Sequence, residues 1–129
     1  MKEILVNKNI NKIGEIYQRP WGNYQTLCQD SGYQAKIICV NPNGRLSLQK
    51  HFKRSEHWIV ATGNPTITVN DSTKEYQAGD YIYIPLEAVH RLENFTDTIV
   101  KIIEVQIGSY LGEDDIVRLD DIYHRDNPA

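Results

Sequence analysis

The sequence predicts an all-β domain, a sandwich or a barrel, and three observations support this. Between residues 33 and 107, short runs rich in β-branched and aromatic residues keep recurring. Clusters of Asn, Asp, Gly and Pro separate these runs, and such residues favour tight turns. The chain has 129 residues, which is the size of one ordinary domain with a single core.

Each strand is predicted from its own run of residues. A first strand at residues 22–28 precedes Gln29-Asp30-Ser31-Gly32, which is typical of a hairpin turn. Turns such as Asn41-Pro42-Asn43-Gly44 and Ala78-Gly79-Asp80 separate the later runs. Those runs are YQAKIICV, RLSLQKH, EHWIVAT, PTITV, KEYQ, DYIYIP, HRLENF and TIVKIIEVQI.

The two ends of the chain depart from this pattern. We expect an N-terminal arm at residues 1–18, a barrel domain at residues 19–112 and an acidic C-terminal tail at residues 113–129 that packs on or near the barrel. The acids at the start of the tail favour a short helix there, since negative side chains stabilise the N-terminal end of a helix. The acidic run itself is most simply a solvated face.

Composition and charge exclude several classes of protein. The net charge is −3, and the sequence has no basic patch of the kind that would predict binding to nucleic acid. The first residues lack the continuous apolar run of a signal peptide or membrane anchor, so we expect a cytoplasmic protein without a membrane partner. Cys28 and Cys39 are too few for a disulfide scaffold or a thiolate metal cluster.

Four residues on neighbouring predicted strands form a candidate metal site. Residues two apart in a strand point to the same face, so Gln49 and His51 can share one ligand. Glu56 shares its face with apolar neighbours and points into the core, where a carboxylate is costly unless a cation meets it. His90 begins another strand. Two histidines, a carboxylate and an amide oxygen suit zinc and tolerate manganese, cobalt or iron(II). His57 faces the other way, which favours a structural role.

The spacing of these residues is specific. The patterns Gln49-x-His51-x4-Glu56-x6-Gly63 and Gly79-x5-Pro85-x4-His90-x3-Asn94 resemble the paired motifs of the cupin superfamily. The resemblance implies a double-stranded β-helix, or jelly-roll barrel. Gln49 stands where many cupins have a first histidine, and a Gln-x-His pair resembles the metal site of phosphomannose isomerases.

Longer strings narrow the resemblance to one family. The segments RPWGNY, GRLSLQKH, RSEHW, IPLEAVHRLEN and EVQIGSYLGEDDIVRLDDIY resemble the type II phosphomannose isomerase domain, usually found at the C-terminal end of mannose-1-phosphate guanylyltransferases. Two departures affect the pocket rim: His51-Phe52-Lys53 replaces a histidine-rich stretch, and Glu87 replaces a glycine. No nucleotide-binding loop is recognisable near the N-terminus, so guanylyl transfer is not expected from this chain alone.

The resemblance implies interconversion of mannose 6-phosphate and fructose 6-phosphate through an enediol. One divalent metal, most simply zinc, would polarise the carbonyl. Arg54 matches the arginine implicated in the family's isomerase activity, and we expect it to arch over the metal without entering the core. The alternative for Arg54 is a surface ion pair. Glu104 is the candidate base. The candidate substrate-binding residues are Lys36 and Arg91 for the phosphate and Tyr81 as a sugar platform.

Other interpretations remain open at this point. The domain could bind a sugar phosphate or nucleotide sugar without turnover, as the partner of a separate nucleotidyltransferase, or it could act on another sugar phosphate. Lys36 could instead extend to the surface or serve a buried anion. Tyr81 and Tyr83 could simply be core residues. Exposed strand edges make a homodimer plausible.

Overall fold

The computed structural model describes residues 9–125, and its regular elements in that range are strands paired antiparallel in two sheets. The predicted all-β fold is therefore confirmed. Among the described residues no helix is long and apolar enough to cross a membrane. The strands are β1 (Ile16–Arg19), β2 (Gly22–Asp30), β3 (Tyr33–Val40), β4 (Leu48–Lys50), β5 (Arg54–Thr62), β6 (Thr66–Val69), β7 (Ser72–Glu75), β8 (Tyr81–Ile84), β9 (His90–Glu93), β10 (Val100–Gly108) and β11 (Val117–Asp120).

The two sheets enclose the core between them. One sheet has the strand order β1-β2-β3-β10-β5-β8 and the other β11-β4-β9-β6-β7. Side chains alternate between inside and outside along β3 and β10, as the period of two requires. The apolar core is made of Trp21, Tyr24, Ile38, Val40, Leu46, Trp58, Val60, Ile67, Ile82, Ile84, Ala88, Leu92, Val100 and Ile102.

The N-terminal arm contributes a strand to the barrel. Residues 16–19 form β1, which pairs with β2 and extends the six-stranded sheet. The expected boundary at residue 18 therefore falls inside a strand. Residues 1–8 of the predicted arm lie outside the described part of the chain.

The C-terminal tail forms a turn and a strand, so the predicted helix is wrong. Residues 113–115 turn, and β11 then pairs with β4 at the edge of the five-stranded sheet. Pairing with this open edge satisfies backbone groups that a short isolated helix would leave unpaired. The tail is also not simply a solvated face, since Asp115 and Asp121 are buried and accept backbone hydrogen bonds. Residues 126–129 lie outside the described range.

Candidate metal centre and active site

Three of the predicted metal ligands lie together inside the barrel. His51 follows β4, Glu56 lies in β5, and His90 begins β9. These side chains are buried, with 3%, 2% and 2% of their surface exposed. The Nε2 atoms of His51 and His90 lie 3.2 Å and 3.8 Å from the Glu56 carboxylate oxygens, and one potential ligand atom of each residue lies within 4.8 Å of the others.

The arrangement of the two sheets explains this convergence. β4 and β9 are neighbours in one sheet, with Gln49 opposite His90, so both strands bring ligands to the same place. Glu56 comes from β5 in the other sheet and reaches the group across the interior. Gln49 lines the same cavity, and its Nε2 lies 3.4 Å from the Ser47 carbonyl oxygen. Its amide oxygen remains the candidate fourth ligand.

Both histidines are held in the form that binds metal. The Nδ1 of His51 lies 2.6 Å from the Asp115 carbonyl oxygen, and the Nδ1 of His90 lies 3.0 Å from that of Ala88. A carbonyl can only accept, so each Nδ1 carries the proton and each Nε2 presents a lone pair. Burial lowers the pKa of His51 to about 4, against the opposing charge of Glu56, and also lowers the pKa of His90. The donor set therefore fits a divalent metal ion.

Arg54 lies inside the barrel, contrary to the expectation that it would stay outside the core. Only 7% of the residue is exposed. Its Nε donates to Glu56 Oε2 over 2.9 Å, and its Nη2 lies 3.3 Å from His51 Nε2. The buried Glu56 carboxylate needs a compensating cation, and Arg54 supplies it. The alternative of a surface ion pair is thereby excluded.

Glu104 lines the cavity, and both of its oxygens accept hydrogen bonds. The indole Nε1 of Trp58 donates to both Glu56 and Glu104, over 3.0 Å and 2.9 Å, and Gln106 donates to Glu104 over 2.6 Å. Burial and the negative charge of Glu56 raise the pKa of Glu104 well above its usual value. Burial also favours protonation of Glu56, yet His51 and Arg54 hold its pKa well below the usual value. Both oxygens of Glu104 already accept hydrogen bonds, which disfavours the predicted role of base.

Lys36 is itself buried and pairs with a partly exposed carboxylate, so it does not extend to the surface, one of the two alternatives that the sequence left open. Its ammonium lies 2.7 Å from Glu113 Oε2 and 4.6 Å from the centre of the Tyr24 ring. Lys36 lines the cavity that contains the metal ligands. The anion comes from the C-terminal tail, which we expected to pack on or near the barrel, but no local pattern indicated that Glu113 would reach Lys36 on β3.

Arg91 does not line this cavity, which is a correction to the predicted phosphate site. Arg91 follows His90 in β9, so its side chain points to the opposite face of the strand. It donates to the Leu46 carbonyl oxygen and to Asp120, both over 2.9 Å. These contacts attach β9 to the segment before β4 and to β11.

Tyr81 also lies outside the cavity. It is 54% exposed, because Ile82 and Ile84 take the inward positions of β8. Its hydroxyl lies 2.5 Å from the Nδ1 of His57, whose ring is stacked on the tyrosine. Tyr81 is therefore neither a platform within this cavity nor a core residue. The outward position of His57 agrees with its predicted structural role.

Three further arginines line the cavity, and the sequence analysis did not predict them as site residues. Arg19 comes from β1, Arg118 from β11, and Arg125 from the segment after it. The pKa of Arg118 is lowered by burial and then by the positive charges of Arg125 and Arg19. Such crowding of like charges is typical of an anion site. Arg118 and Arg125 were not predicted as site residues because the expected domain boundaries placed them in the C-terminal tail.

Comparison with known proteins identifies the family. The family described as mannose-6-phosphate isomerase C-terminal matches residues 6–121. The chain belongs to this family. Among curated members that it resembles, the alginate biosynthesis protein AlgA of Pseudomonas aeruginosa is 50% identical over 111 residues, which are 86% of this chain and 23% of AlgA. The mannose-1-phosphate guanylyltransferase of Sinorhizobium fredii is 37% identical over 99% of this chain and 26% of its own length. This isomerase-family domain thus spans about a quarter of these relatives.

Solved structures share the fold of the isomerase-family domain. It superposes on an oxalate decarboxylase from Lactobacillus farciminis with a TM-score of 0.69 and 24% identity, over 81% of this chain and 33% of the other. An RmlC-like cupin from Shewanella frigidimarina gives a TM-score of 0.65 and 20% identity, over 73% and 83% of the two chains. The predicted jelly-roll fold is confirmed by these likenesses.

Proposed function

We propose that this domain is a metal-dependent aldose-ketose isomerase that interconverts mannose 6-phosphate and fructose 6-phosphate. One observation carries the proposal: a buried histidine-carboxylate group and a crowd of arginines line the same cavity. The first suits a metal that acts on a sugar carbonyl, and the second suits a phosphate. Membership of the mannose-6-phosphate isomerase C-terminal family supports this choice of substrate.

The metal would be held by Gln49, His51, Glu56 and His90. Nitrogen and oxygen donors of this kind suit zinc and tolerate manganese, cobalt or iron(II). When bound, the ion supplies a Lewis acid for the oxygens of the open-chain sugar. Asp115 and Ala88, through their carbonyl oxygens, keep both histidine rings in the ligating tautomer.

Arg54 would stabilise the negative charge that develops on the sugar oxygens. Its guanidinium already lies beside Glu56 and His51, so it needs no rearrangement to act at the metal end of the cavity. A fixed cation in a buried site stabilises an enediolate more than a hydrated one does, because little solvent screens the charge. Glu56 and His51, which contact Arg54, are buried as well.

The phosphate would bind among Arg19, Arg118 and Arg125, which line the same cavity as the candidate metal ligands. A phosphate dianion offers several acceptor oxygens, and guanidinium groups can contact two of them at once. Binding of a dianion would also oppose the burial and the repulsion from Arg125 and Arg19 that lower the pKa of Arg118. The six-carbon chain would then extend from these arginines towards the candidate metal ligands.

A coupled assay for fructose 6-phosphate tests this function. Bound metal is removed from the domain with a chelator. The metal-free domain is then assayed with mannose 6-phosphate, with and without added zinc, manganese or cobalt. We expect turnover that depends on the metal and is lost in His90→Ala but retained in His57→Ala. If mannose 6-phosphate binds in calorimetry but no fructose 6-phosphate forms with any of these metals, the domain is a binding module rather than an isomerase.

A further inference from the structure

Within the described residues, three carboxylates line the cavity: Glu56, Glu104 and Glu113. The proposed isomerisation needs a base that is ionised and that the sugar carbons can approach. Comparison of the three carboxylates shows which of them meets both requirements.

The oxygens of Glu56 and Glu104 are already taken up by other side chains. The oxygens of Glu56 already face Arg54, Trp58 and the two ligand histidines. Glu104 is fully enclosed, and its two oxygens accept hydrogen bonds from Gln106 and Trp58. Each oxygen of the two carboxylates therefore already has a protein partner.

Glu113 meets both requirements. Its side chain is 31% exposed while it lines the cavity. Its Oε2 lies 2.7 Å from Lys36 Nζ and 4.0 Å from Arg54 Nη1, and these cations favour the ionised form. Glu113 also interacts electrostatically with Arg118. Glu113 therefore lies between Arg54, beside the candidate metal ligands, and Arg118, in the proposed phosphate site. The first carbons of a bound hexose phosphate would pass there.

The backbone around Glu113 is fixed. Its N–H donates to the Asn9 carbonyl oxygen over 2.8 Å. Two residues later, the Asp115 carboxylate accepts the backbone N–H groups of Phe52 and Lys53, each over 2.9 Å. The segment is thus attached to the same turn that precedes Arg54. A base must be positioned within hydrogen-bond reach of its proton, and these bonds restrict where Glu113 can lie.

We propose that Glu113 is the base that carries the proton between C2 and C1, a role that rests on the isomerase function proposed above. The Glu113 carboxylate takes the C2 proton of open-chain mannose 6-phosphate, the C1–C2 double bond forms, and the carbonyl electron pair moves to O1. The O2 proton then passes to O1 as the C2 carbonyl forms, and Glu113 returns its proton to C1. The two sugars are isomers, so no other reactant is consumed.

The main test is Glu113→Gln in the metal-loaded domain. We expect kcat to fall roughly 100-fold or more, as is typical when a general base is removed. Metal content and the calorimetric affinity for mannose 6-phosphate should change by less than about threefold. Asp114→Asn is the matched control: it removes the same charge from the exposed neighbouring residue and should keep kcat.

Isotope exchange distinguishes a base from a residue that only holds Lys36 in place. In deuterated water, the proton on the partly exposed Glu113 carboxyl can exchange with solvent before it reaches C1. The wild-type domain should therefore place deuterium at C1 of fructose 6-phosphate, and Glu113→Gln should slow this exchange as much as it slows turnover. If the Gln variant does not fold, Glu113→Asp keeps the charge but withdraws the carboxylate by one methylene group. That variant should keep its metal and lose most of its exchange.

The outcomes separate this proposal from the proposed function. A wild-type domain without isomerase activity contradicts the function itself. An active wild type with an equally active Glu113→Gln variant overturns only the role of Glu113. Loss of activity that is matched by loss of metal or of mannose 6-phosphate binding also overturns it, because Glu113 would then be a structural partner of Lys36.

Discussion

His51 donates its Nδ1 proton to the backbone carbonyl oxygen of Asp115 over 2.6 Å, which connects a candidate metal ligand of the barrel to the C-terminal segment. The Asp115 carboxylate accepts hydrogen bonds from Phe52 and Lys53, the two residues that follow this histidine. One residue therefore fixes both the ring and the backbone of His51. Such partners of a ligand orient it and tune its basicity.

We predict that Asp115→Ala weakens metal binding without removing a ligand. Loss of the carboxylate releases the backbone N–H groups of Phe52 and Lys53, so His51 loses its fixed orientation. The expected loss in zinc affinity is about 10-fold or more, measured by competition with a chromophoric chelator. Asp114→Asn serves as the control with an unchanged affinity. Equal affinities in the Asp115→Ala variant and the wild type would show that the carbonyl contact alone positions the ring.

His90→Ala should lower the metal content more than His57→Ala does. The His90 ring lies beside Glu56 and His51, whereas His57 stacks on Tyr81 outside the cavity. Elemental analysis after dialysis against zinc measures both variants together with the wild type. If both variants lose metal to the same extent, the ion is bound elsewhere.

Arg54→Ala should destabilise the metal-free domain. It leaves the buried Glu56 carboxylate without its closest cation, and breaking a buried pair in this way costs about 3–5 kcal/mol. Bound zinc would supply the missing positive charge, so zinc should raise the melting temperature of the variant more than that of the wild type. Thermal denaturation with and without zinc measures both effects. Equal zinc shifts would mean that Glu56 does not need Arg54 for neutralisation.

Glu104→Gln should change the pH dependence of stability. The pKa of Glu104 is raised in the folded chain, so between its usual value and the raised one the unfolded chain has lost a proton that the folded chain retains. This contribution to stability is complete below the usual pKa and is lost with rising pH, by up to about 1.4 kcal/mol per pH unit. The glutamine variant lacks this loss, so its stability relative to the wild type should rise with pH in the metal-free protein.

Chemical denaturation at several pH values tests this expectation. The difference between Glu104→Gln and the wild type should be constant below about pH 4.5, where both states of the wild type hold the proton. Above that pH the difference should increase in favour of the variant. A difference that does not change with pH would show that Glu104 is ionised in the folded chain.

Arg118→Gln should weaken binding of sugar phosphates but not of the free sugar. Arg118 lines the cavity with Arg19 and Arg125, whereas Arg91 is paired with Asp120 outside the cavity. Charge-assisted hydrogen bonds contribute about 1.5–3 kcal/mol each, so we expect a loss of roughly 10-fold or more for mannose 6-phosphate. Calorimetry with Arg91→Gln as the control measures this. If Arg91→Gln shows the larger loss, the phosphate binds elsewhere.

Much of the fold could be predicted because it depends on local patterns. A period of two assigned His51 and Glu56 to inward faces and His57 to an outward face, and turn residues marked the ends of most strands. The same rule left Tyr81 ambiguous, because both faces of β8 carry large apolar or aromatic side chains. Only packing against the core decides that Ile82 and Ile84 point inward.

The sequence by itself determined the β architecture and the inward positions of His51 and Glu56, since alternation and spacing are properties of neighbouring residues. The tertiary structure alone decided the raised pKa of Glu104, the pairing of Lys36 with Glu113, and the arginine cluster around Arg118. These features arise between residues far apart in the chain, where burial and the charges of the partners set the free energy. No local pattern contains that information, because the partner of each charge is known only when the tail has folded back onto the barrel.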